Sequence, residues 1–116
     1  MSKHKVLVAD PIADAGIEEL KSDLALDVDV RIGISEEELF RDASLYEAII
    51  VRSQTKITKD VINAAENLKI VGRAGVGVDN ISIPTATKNG VIVMNTPAGN
   101  TISTAEHAFA LMASLS

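Results

Sequence analysis

The sequence predicts an α/β protein: a doubly wound parallel sheet of five strands, helices on both faces, and a further helix at the C-terminal end. Three observations carry that expectation. Short runs rich in Val, Ile and Leu recur along the 116 residues, separated by stretches with helical spacing. Strands that alternate with helices argue for a parallel sheet. Most of the runs are apolar throughout, as strands covered on both faces are. The connections are short, and no linker, repeat or low-complexity stretch divides the chain, so one domain accounts for it.

The elements follow in order. Residues 5–10 form a buried strand that stops at Asp10-Pro11. Residues 12–22 carry Ile12, Ala13, Gly16, Ile17 and Leu20 at helical spacing. Residues 28–32 alternate, which suits an edge strand. Ser35 and Glu38 make a capping box for a helix that runs to about Ala43. Residues 48–51 are a central strand. Thr58 caps a helix through Val61, Ile62, Ala65 and Leu68, and residues 69–72 form the next strand. Ser82 opens a short helix with Pro84 in its first turn and Gly90 just past its end. Residues 91–94 are the last strand, 95–100 a turn, and a helix starts at Thr101.

Composition narrows the chemistry. There is no cysteine, so neither a disulfide framework nor a thiolate metal site is available. His4 and His107 lie far apart without metal-ligand spacing. A net charge of −5 and the lack of a Lys/Arg cluster argue against nucleic acid. No apolar run approaches the ~18 residues of a membrane span, and Lys3, His4 and Lys5 lead straight into a strand rather than into a signal peptide. A cytoplasmic protein is expected.

In a sheet of this kind ligands bind beyond the carboxyl ends of the strands. Those ends hold Asp10, the segment 52–55, the segment 73–78 and the segment 95–101. Arg52 alone reads as a solvated charge at a strand end. With the Thr55 hydroxyl and the Lys56 ammonium beside it, the group suits a phosphate or carboxylate. Gly72, Gly75 and Gly77 put three glycines in six residues. Such a segment either makes a tight turn or brings bare amides against an anion. It is not a dinucleotide fingerprint, because the third glycine position holds Asn80 and the later acidic position holds Asn95. Arg73 either meets an anion or pins this segment through an internal pair. Asp79 is expected to bond local amides rather than act as a base. Asn100 caps the last helix, or Ser103 and Glu106 form a capping box there. No histidine falls on this edge, so it offers no general base of the usual kind and no Ser-His-acid set. A phospho-receiver domain would place an acceptor Asp after the third strand; Arg52 stands there instead.

Residues 50–56 (Ile-Val-Arg-Ser-Gln-Thr-Lys), 71–80 (Val-Gly-Arg-Ala-Gly-Val-Gly-Val-Asp-Asn) and 93–101 (Val-Met-Asn-Thr-Pro-Ala-Gly-Asn-Thr) closely resemble the NAD-dependent D-2-hydroxyacid dehydrogenases. The Val-Arg-Ser-x-Thr-Lys string resembles the phosphoglycerate branch. The resemblance runs along essentially the whole chain. It implies a flavodoxin-like substrate-binding domain over 1–99, with 100–116 starting a crossover helix toward an NAD-binding domain. It implies that Arg52, Thr55 and Lys56 lie near the phosphate of 3-phosphoglycerate. Gly75, Val76 and Gly77 would hold the substrate carboxylate, and Asn100 and Thr101 would face the nicotinamide of NAD. The family's NAD fingerprint, catalytic arginine, glutamate and histidine find no match in this chain, so it is expected to be inactive alone, with no catalytic residue of its own. His107 lies in the crossover helix and is not the catalytic histidine. The helix from Thr101 carries Ala105, Ala108, Phe109, Leu111, Met112 and Leu115, an apolar stripe expected to favour a homo-oligomer. The other reading is a stand-alone anion-binding or interaction module without catalysis.

Overall fold

The computed structural model describes residues 4–11, 17–18, 21–22, 26–74 and 79–96. They comprise β1 (His4–Val8), β2 (Leu26–Val30), α1 (Glu36–Asp42), a 3-10 turn (Ala43–Leu45), β3 (Ala48–Val51), α2 (Lys59–Ala64), β4 (Ile70–Ala74), α3 (Ile83–Lys88) and β5 (Ile92–Thr96). Residues 17–18 and 21–22 are helical, within the span expected for the first helix. The expected C-terminal helix lies outside the described residues.

The five strands form one sheet in the order β2-β1-β3-β4-β5. All four pairings are parallel. The chain steps outward from β1 to β2, then returns past β1 to β3 and continues in that direction. Crossovers between parallel strands keep one hand, so a reversal of direction sends the helices to the opposite face. The side chains agree. Leu7, Ile49, Val51 and Val71 share a core with Leu39 of α1, Val61 and Ile62 of α2 and Ala86 of α3. Val6, Val8, Ala48, Ile50 and Ile70 face the other way, and Ile17 packs against them. Successive strand residues thus divide between two cores, as the pleat requires.

Local signals hold at the helix starts. Ser35 Oγ accepts from Glu38 N at 3.1 Å, and Glu38 Oε1 accepts from Ser35 N at 3.4 Å, completing the capping box. Thr58 Oγ1 accepts from Val61 N at 3.3 Å. Ser82 occupies the N-cap position of α3 without capping it; its hydroxyl donates to Thr85 Oγ1 at 2.9 Å. Gly90 takes φ 73° just past α3, where a side chain would be strained.

Several boundaries differ from the sequence reading. The edge strand lies two residues earlier than expected, Leu26–Val30: it pairs with β1 from Leu26, opposite His4, and the chain turns at residues 32–33, where Gly33 takes φ 78°. The helix expected to reach Leu68 stops at Ala64. Ala65 leaves helical geometry (ψ 73°), which lets Lys69 N reach Glu47 O at 2.8 Å and begin the fourth strand. β4 and β5 run on to Ala74 and Thr96 because they pair with each other to that point.

One polar network ties the edge strand to α1. Arg31 Nη1 donates to Asp42 Oδ2 at 2.8 Å and to the Tyr46 hydroxyl at 3.4 Å. Tyr46, almost fully buried, donates to Asp29 Oδ2 at 2.9 Å. Arg41 holds both Asp42 oxygens, at 3.0 and 2.9 Å. Bonds from Arg41 and then Arg31 keep the Asp42 carboxyl well below the usual carboxylate range.

Two outcomes are expected. A carboxyl whose folded value is depressed stabilises the fold above its unfolded value, near 4, and that contribution fades as pH falls below it. Asp42→Asn should therefore lower the melting temperature by a few degrees at neutral pH, with the gap to the parent narrowing in acid; calorimetry across that range reads it. Ile49 is fully buried in the larger core. Ile49→Ala should cost about 2–5 kcal/mol by urea denaturation.

Candidate anion site at the switch in strand order

Reversal of strand order leaves a crevice at the carboxyl ends of β1 and β3, where open α/β sheets take their ligands. Register fixes what meets there. Val8 pairs with Ile50, and two residues further along Asp10 comes level with Arg52. Asp10 is 1% exposed. A buried carboxyl needs donors, and the segment 52–55 supplies them. Oδ2 accepts from Arg52 N at 2.8 Å and from Thr55 N at 3.0 Å; Oδ1 accepts from the Thr55 hydroxyl at 2.5 Å.

The carbonyls of the same turn are met from the other side. Asn80 Nδ2 donates to Arg52 O and Thr55 O, both at 2.6 Å. The Asn80 main chain also holds the residues that follow. Ile57 N donates to Asn80 O at 2.8 Å, Ser82 N donates to Ile57 O at 3.0 Å, and Ile57 and Ile81 form a parallel bridge. The turn is therefore built from β1 on one side and from the segment after β4 on the other.

This turn carries the cations the sequence singled out. Arg52 and Lys56 are exposed, and neither forms an ion pair among the described residues. They do not share one cavity. A cavity of about 340 Å³ has Asp10 and Thr55 at its base and Gly33, Glu36, Gln54 and Lys56 around it; Arg52 is not among its lining residues. Lys56 also borders a second depression of about 270 Å³ beside Asp79 and Asn80. Thr55 is buried rather than displayed. A hydroxyl that donates to Asp10 keeps only its lone pairs for other partners, so its place is in the turn's framework.

Arg73 stands level with Val51 and Asn95 across β4. It is 8% exposed, and its Nε and Nη1 are buried with no hydrogen-bond partner among the described residues. Of the two readings left open for it, no internal ion pair is present among those residues. A buried guanidinium with unmet donors is costly unless an acceptor completes it. Asp79 is exposed, and no bond from it to a local amide is present among the described residues. The roles of Asn80 and Asp10 in holding the turn carry no signal in the local sequence. Gly75, Val76, Gly77, Asn100, Thr101 and His107 lie outside the described residues.

At the end of β1 the described residues do not match the start of a dinucleotide turn. The first strand-to-helix turn of a dinucleotide site offers free amides to a pyrophosphate. Here that turn is Asp10-Pro11, an acid followed by a residue without an N–H. Among the described residues no helix is long and apolar enough to cross a membrane.

Comparison with known proteins bears on the family and the fold. Residues 6–115 match the family described as D-isomer specific 2-hydroxyacid dehydrogenase, catalytic domain. The chain is 60% identical over 108 residues to the D-3-phosphoglycerate dehydrogenase of Archaeoglobus fulgidus, covering 93% of this chain and 20% of that protein. Its fold resembles the crystal structure of a Pyrococcus horikoshii OT3 protein, with TM-score 0.76 and 36% identity over 81% of this chain and 28% of that one. It also resembles NAD+-bound 3-phosphoglycerate dehydrogenase of Entamoeba histolytica, with TM-score 0.73 and 30% identity over 83% of this chain and 33% of that one. The chain thus spans about a fifth of the length of the curated relatives it matches. A parallel sheet wound in the order 2-1-3-4-5, and a match along nearly its whole length, make this chain a member of the D-isomer specific 2-hydroxyacid dehydrogenase family.

Proposed function

We propose that this chain is the substrate-binding portion of an NAD-dependent D-3-phosphoglycerate dehydrogenase, which oxidises 3-phosphoglycerate to 3-phosphohydroxypyruvate at the start of serine biosynthesis. The observation that carries the reading is the turn at 52–55. It sits at the switch in strand order, its backbone is satisfied by Asp10 and Asn80, and it displays Arg52 with Lys56 beside it. Similarity to relatives of that name supports the choice of substrate.

In this reading Arg52 and Lys56 meet the phosphate. Arg52 does so through paired N–H groups and Lys56 as a point charge. Thr55 shapes the turn by donating to Asp10. Arg73, with two buried donors unmet, serves the carboxylate end together with the amides of Gly75, Val76 and Gly77. Residues 1–99 form the substrate domain, and residues 100–116 begin the crossover, with Asn100 and Thr101 facing the nicotinamide. NAD is held by sequence that this chain does not span, where it supplies the hydride acceptor. The chain by itself orients the anion and moves no proton. The helix from Thr101 presents its apolar stripe to a second copy. A cytoplasmic location accords with the reading.

Amide NMR titration of the chain tests this. 3-Phosphoglycerate should shift residues 52–56 and 75–78 more strongly than glycerate does, and NAD should shift neither segment. Equal responses to every anion, or none, would sink the assignment. Arg52→Gln should weaken 3-phosphoglycerate binding by about tenfold or more, the loss expected for a charge-assisted pair. The chain mixed with NAD and 3-phosphoglycerate should produce no NADH; measurable turnover would show catalytic groups within it.

A further inference from the structure

We propose that Asp10 and Asn80 are positioning residues for Arg52. They hold the 52–55 turn as a fixed mount, and that fixity separates phosphorylated from unphosphorylated ligands. The inference deepens the proposed function and rests on it.

The turn has four main-chain groups in play, the N–H and C=O of Arg52 and of Thr55. All four are met by side chains from other parts of the chain. Asp10 accepts from both N–H groups, at 2.8 and 3.0 Å, and Asn80 Nδ2 donates to both C=O groups, at 2.6 Å each. The arrangement leaves the Arg52 backbone no alternative partner, while its side chain is exposed and unpaired among the described residues. A guanidinium recognises a phosphate in a fork, so its aim matters more than its charge. A loose mount would keep the charge, and with it general attraction to anions, but lose the fork.

Asn80 is the sharper probe. Both its donors face carbonyls, while its buried Oδ1 has no partner among the described residues. Asn80→Ala leaves two carbonyls unmet. Asn80→Asp sets a carboxylate oxygen against them, at nearly the same size. Asn89 provides a control, since its Nδ2 donates to Thr85 O at 2.8 Å on an exposed face away from the turn.

The experiment titrates the 116-residue chain and its variants with 3-phosphoglycerate and with glycerate, followed by amide NMR at a temperature where thermal unfolding shows each variant folded. Asn80→Ala should weaken 3-phosphoglycerate by about tenfold and change glycerate by less than about twofold, so the preference collapses. Asn80→Asp should lose more, and Asn89→Ala should keep the parent preference. If Asn80→Ala does not fold, Asp10→Asn reads the same ratio. A folded variant that keeps the preference, or loses both ligands equally, would overturn the positioning role while leaving the proposed function intact. A parent chain without the preference would overturn the proposed function and this inference with it.

Discussion

One buried carboxyl organises this end of the molecule. Asp10 comes to rest where β1 runs out, at the point where the strand order reverses, and it is closed off from water. Its oxygens take three donors from a segment more than forty residues away in the chain. That requirement bends 52–55 into a turn, and the turn in using its amides points its carbonyls outward. Asn80, beyond β4, then becomes necessary. Three segments distant in sequence are thereby locked together. Each of these bonds joins residues 25 or more apart in the sequence, so the site depends on β1, β3 and β4 lying side by side.

The chain spends its cations in two ways. At the edge strand, Arg31 and Arg41 are committed to Asp42, and Arg31 further to Tyr46. They serve cohesion between strand and helix. At the switch point Arg52 and Lys56 have no such commitment among the described residues, and Arg73 is buried with donors unmet. In a protein of net charge −5 these three cations share that edge with Asp10, Glu36 and Asp79, so the place of each charge matters more than their sum.

Much of this was legible in the residues. Apolar runs alternating with helical spacing located every strand, and Ser35 and Thr58 marked helix starts that the structure confirms. Boundaries slipped where tertiary pairing overrode local pattern. Leu68 looked helical because it is apolar and suitably spaced, yet it reaches the core from a turn. At the site, Arg52 and Lys56 were legible as charges at a strand end. Asp10 and Asn80 were not, because side-chain bonds to a distant turn leave no local period in a sequence. The Thr55 bond to Asp10 was hidden for the same reason. The burial of Arg73 was hidden too, since it depends on what covers the strand and not on the strand itself.

The two margins of the sheet are unlike. β2, Leu-Asp-Val-Asp-Val, puts Asp27 and Asp29 along its border, and charges there discourage a foreign strand from docking edge to edge. β5, Ile-Val-Met-Asn-Thr, has no charge, and Ile92 is partly exposed. Among the described residues no strand lies beyond it. Among the described residues the sheet is thus guarded on one flank and open on the other. An extended segment that joined those residues from outside would do so along β5, on the flank where Arg73 and Asn95 stand level.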